Sequence, residues 1–290
     1  MADEITVIEN ECLKVRIKNF GAEIISVTDK EGREYMWSGD KSVWGYHAPI
    51  VFPICGALKD GRYTLSGKSY ELGKHGFARF LDYEPESLSK SSAAFRAKGL
   101  DEYKESYPFS YGFSAVFSLS GNTLSVTYKV ENKDDKTMYF SAGSHEGYAC
   151  PGKTEDYVLE FEKEETLFNY LLSGSLLSGE RELLAEKTKY LSVNGEMLKK
   201  RDSLIFRDLS SESVTLRHKN GNTVVTVRFP GQKNLVIWSF PDGGYICIEP
   251  WSGVPDSVDS TGNIEEKDAI IALEKGKTKE ITHNITFGEK

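Results

Sequence analysis

His75, His145 and Glu249 are the residues whose types and positions in the sequence best suit proton transfer. Each lies at a predicted strand end or in an adjoining loop flanked by glycine, where the backbone can approach a ligand. A glutamate, with a reference pKa of about 4.3, is a base at neutral pH, whereas an imidazole, with a reference value of about 6.5, is either an acid or a base. A histidine and a glutamate together can therefore remove one proton and deliver another in a single reaction.

The carboxylate of Glu249 belongs to residues 244–253, Gly-Tyr-Ile-Cys-Ile-Glu-Pro-Trp-Ser-Gly, which alternate as a strand does. The alternation predicts that the two isoleucines face the core and that Glu249 shares the opposite face with Tyr245 and Cys247. Pro250 lacks a backbone donor and is predicted to end the strand. The pattern indicates a carboxylate held at a strand end, and a surface carboxylate at a loop mouth is the alternative interpretation.

The two histidines lie in glycine-containing segments. His145 belongs to Gly-Ser-His-Glu-Gly-Tyr at residues 143–148, directly after a strand predicted over residues 137–142. His75 begins His-Gly-Phe-Ala-Arg, in which Arg79 is placed to contact a polar ligand. A single histidine is more often structural and a single arginine is more often solvated, so these residues alone leave both interpretations open.

Other chemistries fit the sequence less well. Two histidines and one glutamate can bind zinc, but no H-E-x-x-H motif is present. Cys150 near His145 lacks the surroundings of a cysteine nucleophile, and neither G-x-S-x-G nor a phosphate-binding P-loop occurs. Glycosidase chemistry needs a second well-placed carboxylate. The remaining histidines are interpreted as structural or surface residues: His47, His218 and His283.

Short alternating segments separated by turn signals run through most of the 290 residues. They predict an all-β chain, a large antiparallel sandwich that forms one domain over residues 1–290. The last two strands, residues 269–274 and 278–287, are predicted to pair as a hairpin. Residues 163–200 show no clear period, although residues 183–189 are compatible with a helix.

Aromatic residues, among them Trp37 and Trp44, crowd residues 37–52, where glycines and a proline interrupt any regular element. This composition is typical either of a packed loop or of the rim of a binding site.

Composition excludes several classes of function. The formal net charge is −8 and no basic block occurs, which argues against nucleic-acid binding. Four widely spaced cysteines, without a C-x-x-C motif, are typical of a reducing compartment. No signal peptide is recognised at the N-terminus, and no apolar run is long enough to span a membrane. We therefore expect a cytoplasmic protein with no membrane partner.

Several motifs occur in an order that spans residues 20 to 256. They are Phe-Gly-Ala-Glu at 20–23, Ala-Pro-Ile-Val-Phe-Pro at 48–53, Asp-Gly-Arg-Tyr-Thr-Leu at 60–65, His-Gly-Phe-Ala-Arg at 75–79, Gly-Ser-His at 143–145 and Glu-Pro-Trp-Ser-Gly at 249–253. In this order they resemble the aldose 1-epimerase (galactose mutarotase) superfamily, and specifically its LacX-like branch. Residues 155–200 carry almost none of the resemblance.

The resemblance implies a large antiparallel β-supersandwich and an isomerase that interconverts the α and β anomers of an aldose without a cofactor or a metal. By position, Glu249 matches the catalytic base that acts on the C1 hydroxyl, and His145 matches the acid that protonates the ring oxygen. His75 and Arg79 match residues that bind the sugar. Asp202 falls near a sugar-binding aspartate of the family.

Two departures bear on the substrate. Many members follow the acid histidine with proline and an aromatic residue, whereas Glu146, Gly147 and Tyr148 follow it here, which leaves the shape of the site open at that point. The hexose-phosphate branch carries an arginine ahead of the segment that matches residues 48–53, and none occurs here. The resemblance thus favours an unphosphorylated hexose. Trp251 is interpreted either as a stacking surface for the sugar or as a core residue.

The function expected from the sequence is that of an aldose 1-epimerase whose only partner is a monosaccharide, acting as a monomer or homodimer. Two alternatives stay open. One is a carbohydrate-binding or regulatory protein with weak or no turnover on the same scaffold. The other is a hexose-6-phosphate mutarotase.

Overall fold

The computed structural model describes residues 4–241 and 243–288. Most of their regular structure is antiparallel strand. The strands are β1 Ile5–Glu9, β2 Leu13–Lys18, β3 Glu23–Asp29, β4 Arg62–Leu65, β5 Lys68–Glu71, β6 Tyr83–Leu88, β7 Ser92–Ala97, β8 Tyr111–Ser120, β9 Thr123–Asn132, β10 Met138–Phe140, β11 Glu146–Ala149, β12 Tyr157–Ser173, β13 Leu176–Ser192, β14 Ser203–Phe206, β15 Ser213–His218, β16 Thr223–Arg228, β17 Asn234–Trp238, β18 Tyr245–Trp251, β19 Ile271–Leu273 and β20 Thr278–Phe287.

Helices are few and short. Within the two described ranges, α1 (Gly195–Arg201) is the single α-helix. The 3-10 helices span Lys59–Gly61, Ala78–Phe80, Leu100–Tyr103, Thr154–Asp156 and Ile264–Glu266. No helix in this part of the chain has both the length and the apolar character needed to cross a membrane.

Two sheets enclose the core. Nine strands form the larger sheet in the order β13-β12-β15-β16-β20-β9-β8-β7-β6, and four form the smaller in the order β11-β18-β17-β14. One buried cluster joins them, with Val126 and Ile285 from the larger sheet and Ile246 and Ile248 from the smaller. The antiparallel β-supersandwich expected from the sequence is therefore confirmed.

Alternation in the sequence explains the larger sheet. Along β9 every second residue is buried, and β8 has a similar pattern, so each strand presents an apolar row to the core. The hairpin between these strands turns at Gly121, and β15 and β16 pair across a turn at Gly221. Gly221 has a φ of 105°, a backbone conformation that side chains other than hydrogen disfavour.

The closing hairpin predicted for residues 269–274 and 278–287 is wrong. Ile271–Leu273 pairs with β10, whereas Thr278–Phe287 lies between β9 and β16 in the larger sheet. The turn signal near Gly276 is real, but the strands on either side of it join different sheets. Local turn chemistry does not determine which distant strand offers the better apolar face.

The helix considered for residues 183–189 is also wrong, because they belong to β13. Their sequence, Leu-Leu-Ala-Glu-Lys-Thr-Lys, is rich in good helix formers. The segment nevertheless pairs with β12 along a hairpin of two 17-residue strands, through several register shifts. Cross-strand pairing has here overridden the local propensity.

The strand that carries Glu249 differs from the prediction in two respects. β18 continues through Pro250 to Trp251, and all seven of its residues are buried, so both of its faces are covered. Pro250 follows the part of β18 that pairs with β11, so β17 is its only ladder neighbour among the named strands. A missing backbone donor is tolerated at such a position.

Candidate active site

A pocket of about 320 Å³ lies on one face of the four-stranded sheet. The pairing register of β14, β17 and β18 explains which residues form the floor of the pocket. Ile205 lies opposite Val236, and Val236 lies opposite Glu249. Residues directly opposite one another point to the same face, so these side chains form one row. The full lining is Trp44, Gly56, Lys74, His75, His145, Leu172, Ser175, Asp202, Ser203, Ile205, Val236, Trp238, Phe240, Glu249, Trp251 and Pro255.

The pocket brings together all the site residues predicted from the sequence except Arg79. A larger cavity of about 640 Å³, near Arg207 and Lys279, contains none of them. The larger cavity and the predicted site residues therefore lie in different places. We assign the candidate site to the pocket that contains the histidines and Glu249.

Glu249 is 1% exposed, and neither of its carboxylate oxygens has a hydrogen-bond partner among the described residues. Its Oε1 lies 3.5 Å from Nδ1 of His145. Burial raises the pKa of Glu249 well above its ordinary value, the charge of Glu146 raises it further, and Lys74 opposes both. Once ionised, this carboxylate is a stronger base than a glutamate in water.

His145 lies between β10 and β11, with its ring stacked on Trp44 at a centroid distance of 5.0 Å. Its Nδ1 has no hydrogen-bond partner among the described residues. Burial lowers the pKa of His145 to about 3. Burial therefore acts on both members of the pair in the same sense, favouring a neutral imidazole beside a protonated Glu249.

Backbone contacts orient His75. Its backbone has a φ of 65°, its N–H donates to the carbonyl of Gly56 at 2.8 Å, and its Nδ1 accepts from the Gly56 N–H at 3.2 Å. Because Nδ1 is an acceptor, the neutral ring carries its proton on Nε2. Burial lowers the pKa of His75 well below its ordinary value, and the nearby His145 lowers it further. His75 is thus a neutral hydrogen-bond donor.

Trp251 belongs both to the core and to the lining of the pocket. It lines the pocket, yet it is only 4% exposed and its Nε1 donates to the carbonyl of Ser144 at 3.0 Å. Its ring meets the ring of His75 edge to face at 5.4 Å. Gly143 permits this packing, because a Cβ there would lie 2.3 Å from the Trp251 ring.

Arg79 and Asp202 occupy different positions relative to the pocket. Asp202 is exposed at the pocket wall, directly after α1. Arg79 does not line the pocket, and its Nη2 donates to the carbonyl of Lys74 at 2.9 Å. Lys74 itself lines the wall, so the cation at the site comes from the residue next to His75, which the sequence pattern did not single out.

Trp44, Trp238 and Phe240 form an aromatic wall of the pocket. The composition of residues 37–52, which contain Trp44, allowed the rim of a binding site as one of two interpretations. No sequence signal assigned Trp238 or Phe240 to the site. Nothing in the sequence indicated that the β12–β13 hairpin brings Leu172 to the pocket.

One group of side chains has the composition of a metal site. The potential ligand atoms of His145, Cys247 and Glu249 all lie within 4.8 Å of one another. Cys247 is completely buried and does not line the pocket. These are the residues that could hold a divalent cation, whereas acid/base chemistry needs only the histidine and the glutamate.

The chain matches proteins of known family along almost its whole length. The family model for aldose 1-epimerase matches residues 3–286. Protein LacX (chromosomal) of Lactococcus lactis subsp. lactis is 30% identical over 294 residues, which cover 97% of this chain and 98% of that protein.

Solved structures agree with this match. A galactose mutarotase related enzyme from Lactobacillus acidophilus is 34% identical, with a TM-score of 0.92 over 98% of this chain and 97% of that one. A galactose mutarotase-like protein from Lactobacillus casei is 28% identical, with a TM-score of 0.91 over 99% and 100% of the two chains. The chain therefore belongs to the aldose 1-epimerase family.

Proposed function

We propose that this protein is an aldose 1-epimerase that interconverts the α and β anomers of a free hexose. The observation that carries the proposal is the pair formed by His145 and Glu249. The two groups lie 3.5 Å apart at one pocket, and no described residue donates a hydrogen bond to either glutamate oxygen. Such a carboxylate is available to accept a proton from a substrate hydroxyl.

The proposed reaction moves two protons and breaks one ring bond. Glu249 removes the proton of the C1 hydroxyl, the bond between C1 and the ring oxygen breaks, and His145 gives a proton to that oxygen. Rotation about the C1–C2 bond then presents the other face of the aldehyde. Ring closure returns the proton from Glu249 to the new C1 hydroxyl, and His145 takes back the proton of the attacking hydroxyl.

The starting state of this reaction is a carboxylate beside an imidazolium. It differs from the neutral pair only in which group holds one proton. Burial favours the neutral arrangement, as the raised pKa of Glu249 and the lowered pKa of His145 both indicate. Hydrogen bonds from sugar hydroxyls to the carboxylate would favour the ionised arrangement. We propose that binding of the sugar prepares the pair in this way.

Other residues of the pocket fit a monosaccharide. His75 offers a neutral N–H donor, and Asp202 and Lys74 offer polar groups at the wall. Trp238 meets the His145 ring edge to face at 5.3 Å and gives the pocket an apolar wall. A pocket with apolar walls and a few convergent polar groups is the usual form of a small-molecule site.

We propose that residues 1–290 act as one domain, as a monomer or homodimer, with no cofactor and no nucleic-acid partner. Four unpaired cysteines support a place in the cytoplasm, where thiols stay reduced.

Lys74 supports testing a hexose 6-phosphate as an alternative substrate, because an ammonium group at the pocket wall can bind a phosphate.

Polarimetry of freshly dissolved α-D-galactose and α-D-glucose tests the proposal. We expect the protein to accelerate the approach to anomeric equilibrium. Glu249→Gln and His145→Ala should each lower the rate by about 10²- to 10⁴-fold, the usual contribution of a general acid or base. Calorimetric titration of Glu249→Gln with sugar separates lost chemistry from lost binding.

A lack of acceleration with any free aldose would reject the epimerase. Saturable sugar binding without turnover would then support the carbohydrate-binding alternative. Acceleration confined to glucose 6-phosphate would support the hexose-6-phosphate mutarotase.

A further inference from the structure

Asp256 lies in the segment that follows β18, and all of its hydrogen-bonding groups are in use. Its side chain is 4% exposed and forms an ion pair at 2.8 Å with Lys267, whose side chain is 2% exposed. Its other carboxylate oxygen accepts from the backbone N–H of Lys59 at 3.0 Å. Its backbone N–H donates to the carbonyl of Ala57 at 2.9 Å, and its carbonyl accepts from the N–H of Leu177 at 2.8 Å. One residue thus joins three segments that are distant in the sequence.

The contacts with Ala57 and Lys59 hold the loop of residues 56–59, which orients His75. Ala57 directly follows Gly56. The carbonyl of Gly56 accepts from the backbone N–H of His75 at 2.8 Å, and the N–H of Gly56 donates to Nδ1 of His75 at 3.2 Å. Gly56 and His75 both line the pocket. The position of the His75 ring therefore depends on the loop that Asp256 holds.

The contact with Leu177 holds a second part of the pocket lining, the β12–β13 hairpin. Leu177 lies directly opposite Leu172 in the β12–β13 ladder. Leu172 lines the pocket together with Ser175, which belongs to the turn between the two strands. The N–H of Val258 also donates to the carbonyl of Leu177 at 2.9 Å, so the hairpin is bound on both sides of that residue. Asp256 therefore connects the hairpin with the loop that orients His75.

Lys267 holds the two residues on either side of Pro255. Its Nζ donates to the carbonyl of Val254 and to the carboxylate of Asp256, both at 2.8 Å. Pro255 lines the pocket and lies against Gly56, where a Cβ would be 2.5 Å from Cγ of Pro255. A buried carboxylate without a countercharge loses its hydration and gains nothing in return. Lys267 thus supplies the countercharge and also keeps Pro255 against the loop of residues 56–59.

We propose that Asp256, neutralised by Lys267, is a positioning residue that fixes the loop of residues 56–59 relative to the β12–β13 hairpin and so determines how tightly the pocket binds the sugar. The proposal rests on the proposed epimerase function, because it takes the ligand to be a sugar that accepts a hydrogen bond from His75. Neither Asp256 nor Lys267 lines the pocket. They act through His75 and Leu172, which do.

The first test compares Asp256→Asn with the wild-type protein. Asparagine keeps the size of the side chain but has one acceptor oxygen, so it satisfies either the Lys59 N–H or the ammonium of Lys267 and loses the other contact. A bond from His75 to the sugar exists in the ground state and in the transition state alike, so weakening it raises KM and leaves kcat unchanged. We expect KM to rise about tenfold, the usual weight of one hydrogen bond.

Lys59→Pro removes one proton from the same network and leaves Asp256 intact. Lys59 begins a 3-10 helix, and its N–H bonds to Asp256 rather than within that helix. The preceding residue, Leu58, is extended, so proline is compatible with the backbone there. KM should rise as in Asp256→Asn. Lys59→Ala, which keeps the N–H and shortens only the side chain, should have the KM of the wild-type protein.

Glu165→Gln is the matched control for lost stability. Glu165 is another buried carboxylate that accepts from a backbone N–H, that of Ser211 at 2.6 Å, and it does not line the pocket. Glu165→Gln and Asp256→Asn should both lower the melting temperature, but only Asp256→Asn should raise KM. A wild-type KM in both Asp256→Asn and Lys59→Pro would make Asp256 a structural brace only and would overturn the proposal.

Nuclear magnetic resonance of the sugar-free protein separates this proposal from the epimerase itself. The nitrogen signal of His75 Nδ1 reports the bond from Gly56, and the methyl signals of Leu172 report the hairpin. Both should move in Asp256→Asn and stay in place in Glu165→Gln. If the wild-type protein accelerates no aldose, the proposed function fails, whereas these signals still report the two parts of the pocket. An unchanged signal at either residue would overturn the joint role of Asp256.

Discussion

At the level of single residues, the position of Glu249 suits proton transfer at the cost of the stability of the folded protein. It is buried, and no described residue donates a hydrogen bond to its oxygens. A carboxylate in such a place loses its hydration and gains no protein donor in return. The same condition that raises its basicity therefore reduces the free energy of unfolding.

Glu249→Gln should therefore inactivate the protein and stabilise it at neutral pH. The folded-state pKa of Glu249 is raised, so the unfolded chain ionises more readily, and stability is lost as pH rises above 4.5. Glutamine resembles the protonated form and avoids this loss. We expect a melting temperature at pH 7 that is higher by roughly 2–4 °C, with the difference shrinking toward pH 4.5. Glu11→Gln, at an exposed glutamate, should change little, and a lower melting temperature for Glu249→Gln would contradict the argument.

At the level of elements, the loop that carries Trp44 and the strand β11 must approach closely for the site to form. The Trp44 ring stacks on His145 and also on Tyr245, at centroid distances of 5.0 and 5.3 Å. Gly147, in β11, lies directly below: a Cβ there would be 2.9 Å from Cζ3 of Trp44 and 3.2 Å from Cβ of Trp37. The absence of a side chain at residue 147 therefore determines how closely the Trp44 ring can approach β11.

Gly147→Ala should lower kcat/KM about tenfold, because the added methyl group pushes the Trp44 ring off His145. Near-ultraviolet circular dichroism and tryptophan fluorescence should report the moved ring. Gly73→Ala is the matched control, since a Cβ at Gly73 meets nothing within 4 Å and its φ is not in the left-handed region. Equal activity and spectra for Gly147→Ala and the wild-type protein would show that the ring position is not controlled by the glycine.

For the molecule as a whole, sequence reasoning was most reliable where alternation recurred along many segments, whereas a single turn signal near Gly276 and the helix propensity of residues 183–189 misled it. Alternation predicted the sandwich, and the order of motifs that resembles the aldose 1-epimerase family assigned His75, His145 and Glu249 to one site. Lys74 and Leu172 could not be found in this way, because only the folded chain decides which loop and which hairpin border the pocket. The β12–β13 hairpin escaped prediction because helix-forming residues became a strand through pairing.

Strands β1, β2 and β3 form a separate three-stranded sheet, and Glu23 connects this sheet to the candidate site. The carboxylate of Glu23, at the start of β3, accepts from the backbone N–H groups of His47 and Ala48 at 2.6 and 3.2 Å, and it forms an ion pair with Lys18 at 3.1 Å. These contacts hold the loop that also carries Trp44. Burial raises the pKa of Glu23, but the contacts with His47 and Lys18 outweigh burial and lower the pKa to about 2.

Glu23→Gln should therefore destabilise the whole fold at neutral pH. A pKa lowered from 4.5 to about 2 corresponds to about 3 kcal/mol of stability, present above pH 4.5 and lost as pH falls toward 2. Chemical denaturation of both proteins should show this difference at pH 7 and almost none near pH 2. Glu31→Gln, at an exposed glutamate, serves as the control. Equal stability of Glu23→Gln and the wild-type protein at pH 7 would mean that the carboxylate does not fasten the Trp44 loop to the rest of the molecule.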